Sequence, residues 1–124
     1  EEKFREWEVP EREWEDLLAH LEDERFWDEQ RFAESFAGGK FRVKQWGKQK
    51  IWHELKGKGV PTFMIGLAIR REIPEADYEA TANKLIEKKV RDLGGELTYE
   101  KRAKILRYMQ QKGYEIGLTK RLLG

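Results

Sequence analysis

Lys50, Ile51, Leu55, Lys58, Gly59 and Val60 recur as Lys104, Ile105, Met109, Lys112, Gly113 and Tyr114 at a constant offset of 54. The register holds beyond the turn, where Pro61, Ile65, Ala68 and Ile69 meet Glu115, Thr119, Leu122 and Leu123. Upstream, at an offset of 51, Phe4, Val9, Pro10, Trp14, Leu17 and Leu18 meet Leu55, Val60, Pro61, Ile65, Ala68 and Ile69. Three copies of one pattern point to an array of small units. A unit this short cannot bury its apolar face alone and must stack on its neighbours.

Each copy reads as a long helix, a short helix ending at a Lys-Gly-Val type turn, and a third helix starting beside proline or glutamate. In the first copy Trp14, Leu17, Leu18 and Leu21 form one stripe of a helix beginning beside Pro10. A helix is predicted from about Asp28, with Phe32 and Phe36 one turn apart, and Gly38-Gly39 is expected to stop or kink it. Two glycines cost a helix interior about 2 kcal/mol relative to alanine. Helices are further predicted over about 48–58 (Ile51, Trp52 and Leu55 inward), 61–72, 75–93 (Tyr78, Ala82, Leu85, Ile86 and Lys89 near one face), 99–112 and 116–123. Thr98 serves as a cap and Gly94-Gly95 as a stop. No strand pattern of useful length is present. The expected fold is all-α, tandem three-helix repeats stacked into an elongated, curved array, with a partial first repeat at 1–26, a second at 27–73 and a third at 74–124. The first copy has no long helix, so the chain reads as a fragment or as a form trimmed at its front.

At 39% hydrophobic and 40% charged residues, the chain suits thin, solvent-rich helical layers better than a deep core. Its longest apolar run, Phe63 to Ile69, is far shorter than the roughly 20 residues that cross a bilayer, and the N-terminus shows no signal-peptide pattern. The absence of cysteine removes disulfides and thiolate metal sites and fits a reducing compartment. A cytoplasmic location is expected.

Few parts of an active site are present. His20 and His53 belong to no metal-ligand pattern. Gly57-Lys58-Gly59 reads as a helix end rather than a phosphate cradle. Ser35 is the only serine, and there is no cysteine nucleophile. No catalytic residue, metal or cofactor is expected. Of the five tryptophans, Trp14 and Trp52 lie on apolar stripes and read as core, while Trp7, Trp27 and Trp46 stay open as partner anchors.

Charge is uneven beneath the net +1. Residues 1–35 carry 14 acidic and 5 basic side chains, whereas residues 40–58 carry 7 basic ones against Glu54 alone. Within that stretch Lys40, Arg42, Lys44, Lys48 and Lys50 alternate with Phe41, Val43 and Trp46 across a helix connection, a pattern suited to phosphates or an acidic protein surface. Trp46, between Lys44 and Lys48, suits stacking on a base or filling a partner pocket, and equally packing at a helix start. A second set, Lys101, Arg102, Lys104 and Arg107, opens the corresponding helix of the next repeat. Equivalent positions in a stacked array tend to line one face, so the two sets are expected either to form one strip or to be separate solvated faces.

The run Phe26-Trp27-Asp28-Glu29-Gln30-Arg31-Phe32-Ala33-Glu34-Ser35-Phe36 resembles the aromatic-x-Asp-Glu-x-Arg-Phe-Ala-x-x-Phe hallmark of the RecX regulatory proteins. Trp46-Gly47, Lys50-Ile51, Leu55 and Lys58-Gly59-Val60 resemble that family's second-repeat core. The similarity continues through Tyr78, Leu85, Lys101 to Leu106 and Lys112-Gly113-Tyr114. The resemblance implies tandem three-helix repeats and a negative regulator of homologous recombination and the SOS response. Such a regulator binds along the groove of the RecA nucleoprotein filament, on its single-stranded DNA, and suppresses ATP hydrolysis, strand exchange and co-protease activity. By position, Lys40, Arg42, Lys44, Lys48 and Lys50 are the filament- or DNA-facing candidates, an inference from charge. Two departures stand out. A shorter array touches fewer filament subunits, and Gly38-Gly39, where the family more often has helix formers, is expected to change the angle between units.

The alternative is a nucleic-acid module that uses the basic strip directly on free DNA, with binding that weakens steeply in salt. A monomer without membrane contact is expected in either case.

Overall fold

The computed structural model describes residues 24–124. The stripe Trp14, Leu17, Leu18 and Leu21, together with Trp7, His20 and most of the expected first unit, lies outside the described residues. Among those described there are six helices and no strand: α1 (Glu24–Lys44), α2 (Lys48–Gly57), α3 (Thr62–Glu72), α4 (Glu75–Asp92), α5 (Tyr99–Lys112) and α6 (Ile116–Leu123).

Local signals account for most of the boundaries. Pro61 and Pro74 precede α3 and α4 in the extended conformation that residues flanking a helix start adopt. Glu75 and Asp77 oppose the positive end of the α4 dipole, and Lys89 and Arg91 its negative end. Thr98 Oγ1 accepts the Lys101 N–H at 3.2 Å and caps α5. Gly59, Gly94 and Gly113 leave their helices at φ 87°, 99° and 102°, where a side chain would be strained.

The expected interruption at Gly38-Gly39 is absent, because α1 runs unbroken to Lys44. Phe26, Gln30, Ala33, Ala37 and Phe41 follow one another at three- and four-residue spacing and are all buried, and Gly38 is buried beside them. A Cβ on Gly38 would lie 2.5 Å from both the Arg42 guanidinium and the Glu72 carboxylate. The glycine therefore makes room for the Arg42–Glu72 ion pair, at 3.5 Å, that ties α1 to α3. Arg71–Glu34 at 3.3 Å and Phe26 stacked on Phe63 at 6.5 Å complete that seam. Packing along the whole of α1 outweighs a propensity deficit of about 2 kcal/mol, so the helix does not stop at the glycines.

The remaining core is drawn from every described helix but α6: Ile51 and Leu55 of α2, most of α3, Tyr78, Ala82, Leu85 and Ile86 of α4, and Ile105 and Met109 of α5. Leu118, Leu122 and Leu123 of α6 pack against it partly buried, and Trp52 is half-buried at its edge.

The first three helices and the last three meet end to end. At the start of α2 the Gly47 N–H donates to Lys112 O at 2.7 Å and the Gln49 N–H to Gly113 O at 3.0 Å. The Lys48 N–H donates to Tyr78 Oη at 3.0 Å. Carbonyls at the end of α1 are used likewise, Lys44 O accepting from Lys112 Nζ and Gln45 O from Tyr114 Oη, each at 2.9 Å. Amides and carbonyls that a helix cannot satisfy within itself are thus satisfied by the other unit. Tyr78 also donates to Glu115 Oε1 at 2.6 Å and stacks on Tyr114 at 5.1 Å. Burial, and next the Glu115 charge, push the Tyr78 phenol far above its ordinary value, and the same two causes raise Tyr114.

Contact this close requires glycine on both sides. A methyl on Gly47 would overlap the Gly113 carbonyl and the Tyr114 nitrogen, and one on Gly113 would overlap Lys50. Gly113→Ala, which adds left-handed strain to that overlap, is expected to lose about 3 kcal/mol or more in denaturant unfolding. Gly39→Ala, which meets nothing within 4 Å, should gain up to about 1 kcal/mol. Tyr78→Phe leaves the Lys48 amide without its acceptor and should cost about 1–3 kcal/mol. Both phenols stay protonated in the fold after those of the unfolded chain ionise near pH 10, so stability should fall as pH rises above that point. The fall should be shallower in Tyr78→Phe, which a series of melts at rising pH reads directly.

Candidate polyanion-binding surface

The connection between α1 and α2 carries its basic residues in an ordered arrangement. Trp46, half-buried, has the Lys40 ammonium 4.9 Å and the Lys50 ammonium 4.6 Å from its ring centroid. Phe36 packs edge-on to Trp46 at 6.2 Å and carries Lys40 at 5.4 Å and Lys58 at 5.6 Å over its own ring. Phe32, exposed, extends the aromatic row at 6.0 Å from Phe36. Each ammonium is held by the negative face of a ring and keeps its remaining donors for solvent or a ligand. Lys40, Trp46 and Lys50 therefore come together, whereas the sequence sets Trp46 between Lys44 and Lys48. The faces of Trp46 are engaged by lysines, which sets its role as organising cations ahead of stacking on a base.

The other residues of the first set divide. Lys44 is exposed at the end of α1, Val43 stands 79% exposed, and Arg42 turns toward Glu72. Lys48 differs from all of them. Its side chain is 4% exposed, its ammonium lies 2.5 Å from Glu75 Oε2 and 4.4 Å from the Tyr78 ring centroid, and its charge is taken up within the fold. The reason is positional, since Lys48 is the first residue of α2 and faces the opposite unit.

In the second set, Arg102 donates to Gly124 O at 2.7 Å and Lys101 is half-buried, while Lys104 and Arg107 are exposed. At 3.6 residues per turn Lys101, Lys104, Tyr108 and Lys112 share one stripe of α5, from which Arg107 points away. Lys89 of α4 sits 4.4 Å over the Tyr108 ring. The stripe reaches the first set through Lys112, whose ammonium bonds to Lys44 O. Burial, then the Lys50 and Lys44 charges, lower the Lys112 pKa below the ordinary lysine value.

Lys112, Lys58 and Phe36 are members of this surface that sequence reasoning did not assign to it. A signal was available, because Lys58 and Lys112 are the same position of the repeat, immediately before its turn glycine. Among the described residues six ion pairs form, and none includes Lys40, Lys44, Lys50, Lys58 or Lys112. Those five ammoniums share one region of the surface, and none of them pairs with a carboxylate among the described residues. Among the described residues no group of acidic or histidine side chains converges to hold a metal, and no helix is long and apolar enough to cross a membrane.

The fold and this surface define a helical-repeat protein with a cationic, aromatic-lined face where two three-helix units join. Residues 28–72 match the second three-helix domain of RecX and residues 76–123 the third. The chain is 28% identical to Regulatory protein RecX of Oceanobacillus iheyensis over 111 residues, which is 90% of this chain and 40% of that protein. It is also 28% identical to Regulatory protein RecX of Streptomyces coelicolor over 123 residues, 98% of this chain and 64% of that one. It thus spans less than two thirds of the length of either relative. No solved structure matches it. The chain belongs to the RecX family.

The two kinds of lysine should separate in thermal melts. Lys48→Glu places a carboxylate against Glu75 and the Tyr78–Glu115 pair in a buried position and should cost about 3–5 kcal/mol. Lys50→Glu, on the solvent side of Trp46, should stay within about 0.5 kcal/mol of the parent.

Proposed function

We propose that this chain is a negative regulator of homologous recombination and of the SOS response, one that binds the RecA nucleoprotein filament and inhibits its ATPase, strand-exchange and co-protease activities. The observation that carries the reading is the row of lysines, none paired with a carboxylate among the described residues, at the junction of two RecX three-helix domains. It offers a cationic face to a filament built on a polyanion. Lys40, Arg42, Lys44, Trp46 and Lys50 make the first contact region and Lys101, Arg102, Lys104 and Arg107 the second, with Lys48 supporting the first from behind. The division into 1–26, 27–73 and 74–124 makes each unit one step of the array along the filament. Regulation is by mass action: a ligand that prefers one filament state draws the population toward it, and no bond of a substrate is made or broken. Such a protein works as a monomer, in the cytoplasm with its partner.

A second reading, a module acting on free DNA, is favoured by the alternation of lysine and aromatic side chains along the strip. One titration separates the two. RecA ATP hydrolysis on single-stranded DNA is followed at fixed salt with rising amounts of the parent and of a variant carrying Lys40→Glu, Lys44→Glu and Lys50→Glu. Lys48 is left intact to preserve the fold. The parent should inhibit and the variant should need at least about tenfold more protein, as expected when several phosphate or carboxylate contacts are lost. A parent that binds DNA alone but leaves hydrolysis unchanged gives the second reading precedence. Equal inhibition by parent and variant removes the strip from the interface.

A further inference from the structure

We infer that Lys44, Lys50 and Lys112 form one seat for a backbone phosphate of a single-stranded nucleic acid, shared between the two three-helix units. This deepens the binding role given to the strip and rests on that reading.

The three ammoniums come from three elements, the end of α1, the first turn of α2 and the end of α5, and the Gly47–Gly113 contact is what brings those elements together. Like charges so placed repel one another, and no carboxylate pairs with any of them among the described residues. Two features hold them in place. Lys112 spends one of its three donors on Lys44 O, at the negative end of the α1 dipole, and keeps two. Lys50 is fixed over Trp46, and its ammonium makes no hydrogen bond among the described residues. An anion set among them would relieve the repulsion and take up the free donors at once.

The class of anion follows from what lies alongside. Lys40, on the same ring as Lys50, and Lys58, beyond Phe36, continue the row of uncompensated charges away from the seat. A row suits successive phosphates of a polymer better than an isolated ion. Since the Trp46 ring is already occupied by ammoniums, recognition is of the backbone and not of base identity. The charged groups acting on Lys112 are Lys50 of α2 and Lys44 of α1, and Glu115 of the neighbouring turn accepts from Tyr78. The Lys112 proton is held less tightly than usual in the free protein, and a bound phosphate would restore it. Binding therefore takes up a proton above the free-state pKa, and affinity falls as pH rises through it.

The test uses the full chain and a fluorescein-labelled oligothymidylate of about 20 nucleotides, with anisotropy read at increasing NaCl and then at increasing pH. Lys112→Gln and Lys50→Gln should each lower the slope of log affinity against log salt by about 0.7, one phosphate's worth on a single strand. Lys84→Gln, the same charge change on exposed α4, should leave it unchanged. Lys112→Arg should keep the parent slope and move the decline to higher pH, toward the range where ordinary lysines lose their charge. If the Lys112 variant fails to fold, Lys50→Gln carries the test, because among the described residues its ammonium makes one ring contact, with Trp46, and no ion pair. Unchanged slopes in both glutamine variants, or an equal fall in Lys84→Gln, overturn the seat. So does displacement by poly-glutamate at the same charge concentration as by oligonucleotide, which would mark an acidic-protein surface. Displacement by inorganic phosphate beyond the effect of its ionic strength would assign the seat to free phosphate and overturn the polymer. The outcome is independent of RecA: ATPase inhibition with unchanged oligonucleotide slopes sinks the seat alone, and normal slopes without inhibition sink the regulator reading alone.

Discussion

Two helix ends facing one another across Gly47 and Gly113 hold this structure in its arrangement. The start of α2 has amide donors with no partner in its own helix, and the end of α5 has carbonyls in the same position. The Gly47 and Gln49 amides meet the Lys112 and Gly113 carbonyls directly, so two helix dipoles lie positive end to negative end and no side-chain cap is needed. Hydrogen bonds of about 3 Å between backbones leave no room for a Cβ on either side, which ties the geometry to glycine at both positions. Tyr78 closes the arrangement by serving two units, accepting from the Lys48 amide and donating to Glu115 of the α5–α6 turn.

The charge pattern follows from that contact. Helix C-termini attract cations, and the ends of both α1 and α5 lie at the junction, so Lys44 and Lys112 gather there in spite of mutual repulsion. Lys48, at an N-terminus where a cation is disfavoured, is the one lysine of the group that the fold has to neutralise, and Glu75 does so. The carboxylate comes from the first turn of α4, where it also suits the dipole of its own helix. One side of the junction is thereby internally compensated and the other is left strongly positive. That asymmetry arises from where helices end, without an enclosed pocket.

What the sequence made legible and what it did not divide along the same line. Five of the six described helices follow from apolar periodicity, prolines and glycines, because each signal acts within one helix turn of its residue. The mixture of basic and aromatic residues over 40–50 was legible too, although the lysines over Trp46 are Lys40 and Lys50 and not its nearer neighbours in sequence, Lys44 and Lys48. Gly38-Gly39 misled because propensity is a local quantity and the packing that overrides it, Arg42 reaching Glu72 past a missing side chain, belongs to α3. Lys48 is indistinguishable from Lys50 in composition, and only the identity of the opposite unit decides that one is buried against Tyr78 while the other lies half-buried over Trp46. Lys112 lies 62 positions from Lys50, and periodicity within a helix says nothing about that distance.

The repeat shows how one local pattern serves two ends. Lys58-Gly59-Val60 and Lys112-Gly113-Tyr114 are the same turn, with glycine left-handed at φ 87° and 102° in each. A methyl on Gly59 would meet no atom within 4 Å, whereas one on Gly113 would collide with α2. The glycine is therefore demanded twice over in the second copy, by the backbone angle and by the neighbour, and once in the first. The residue after it changes accordingly: Val60 fills the core of its own unit, while Tyr114 reaches across to Gln45 and stacks on Tyr78. Local conformation accounts for what the copies share, and their place in the array for how they differ. The approach of Lys44, Lys50 and Lys112 follows from the second, since the end of one unit's short helix meets the beginning of another's there.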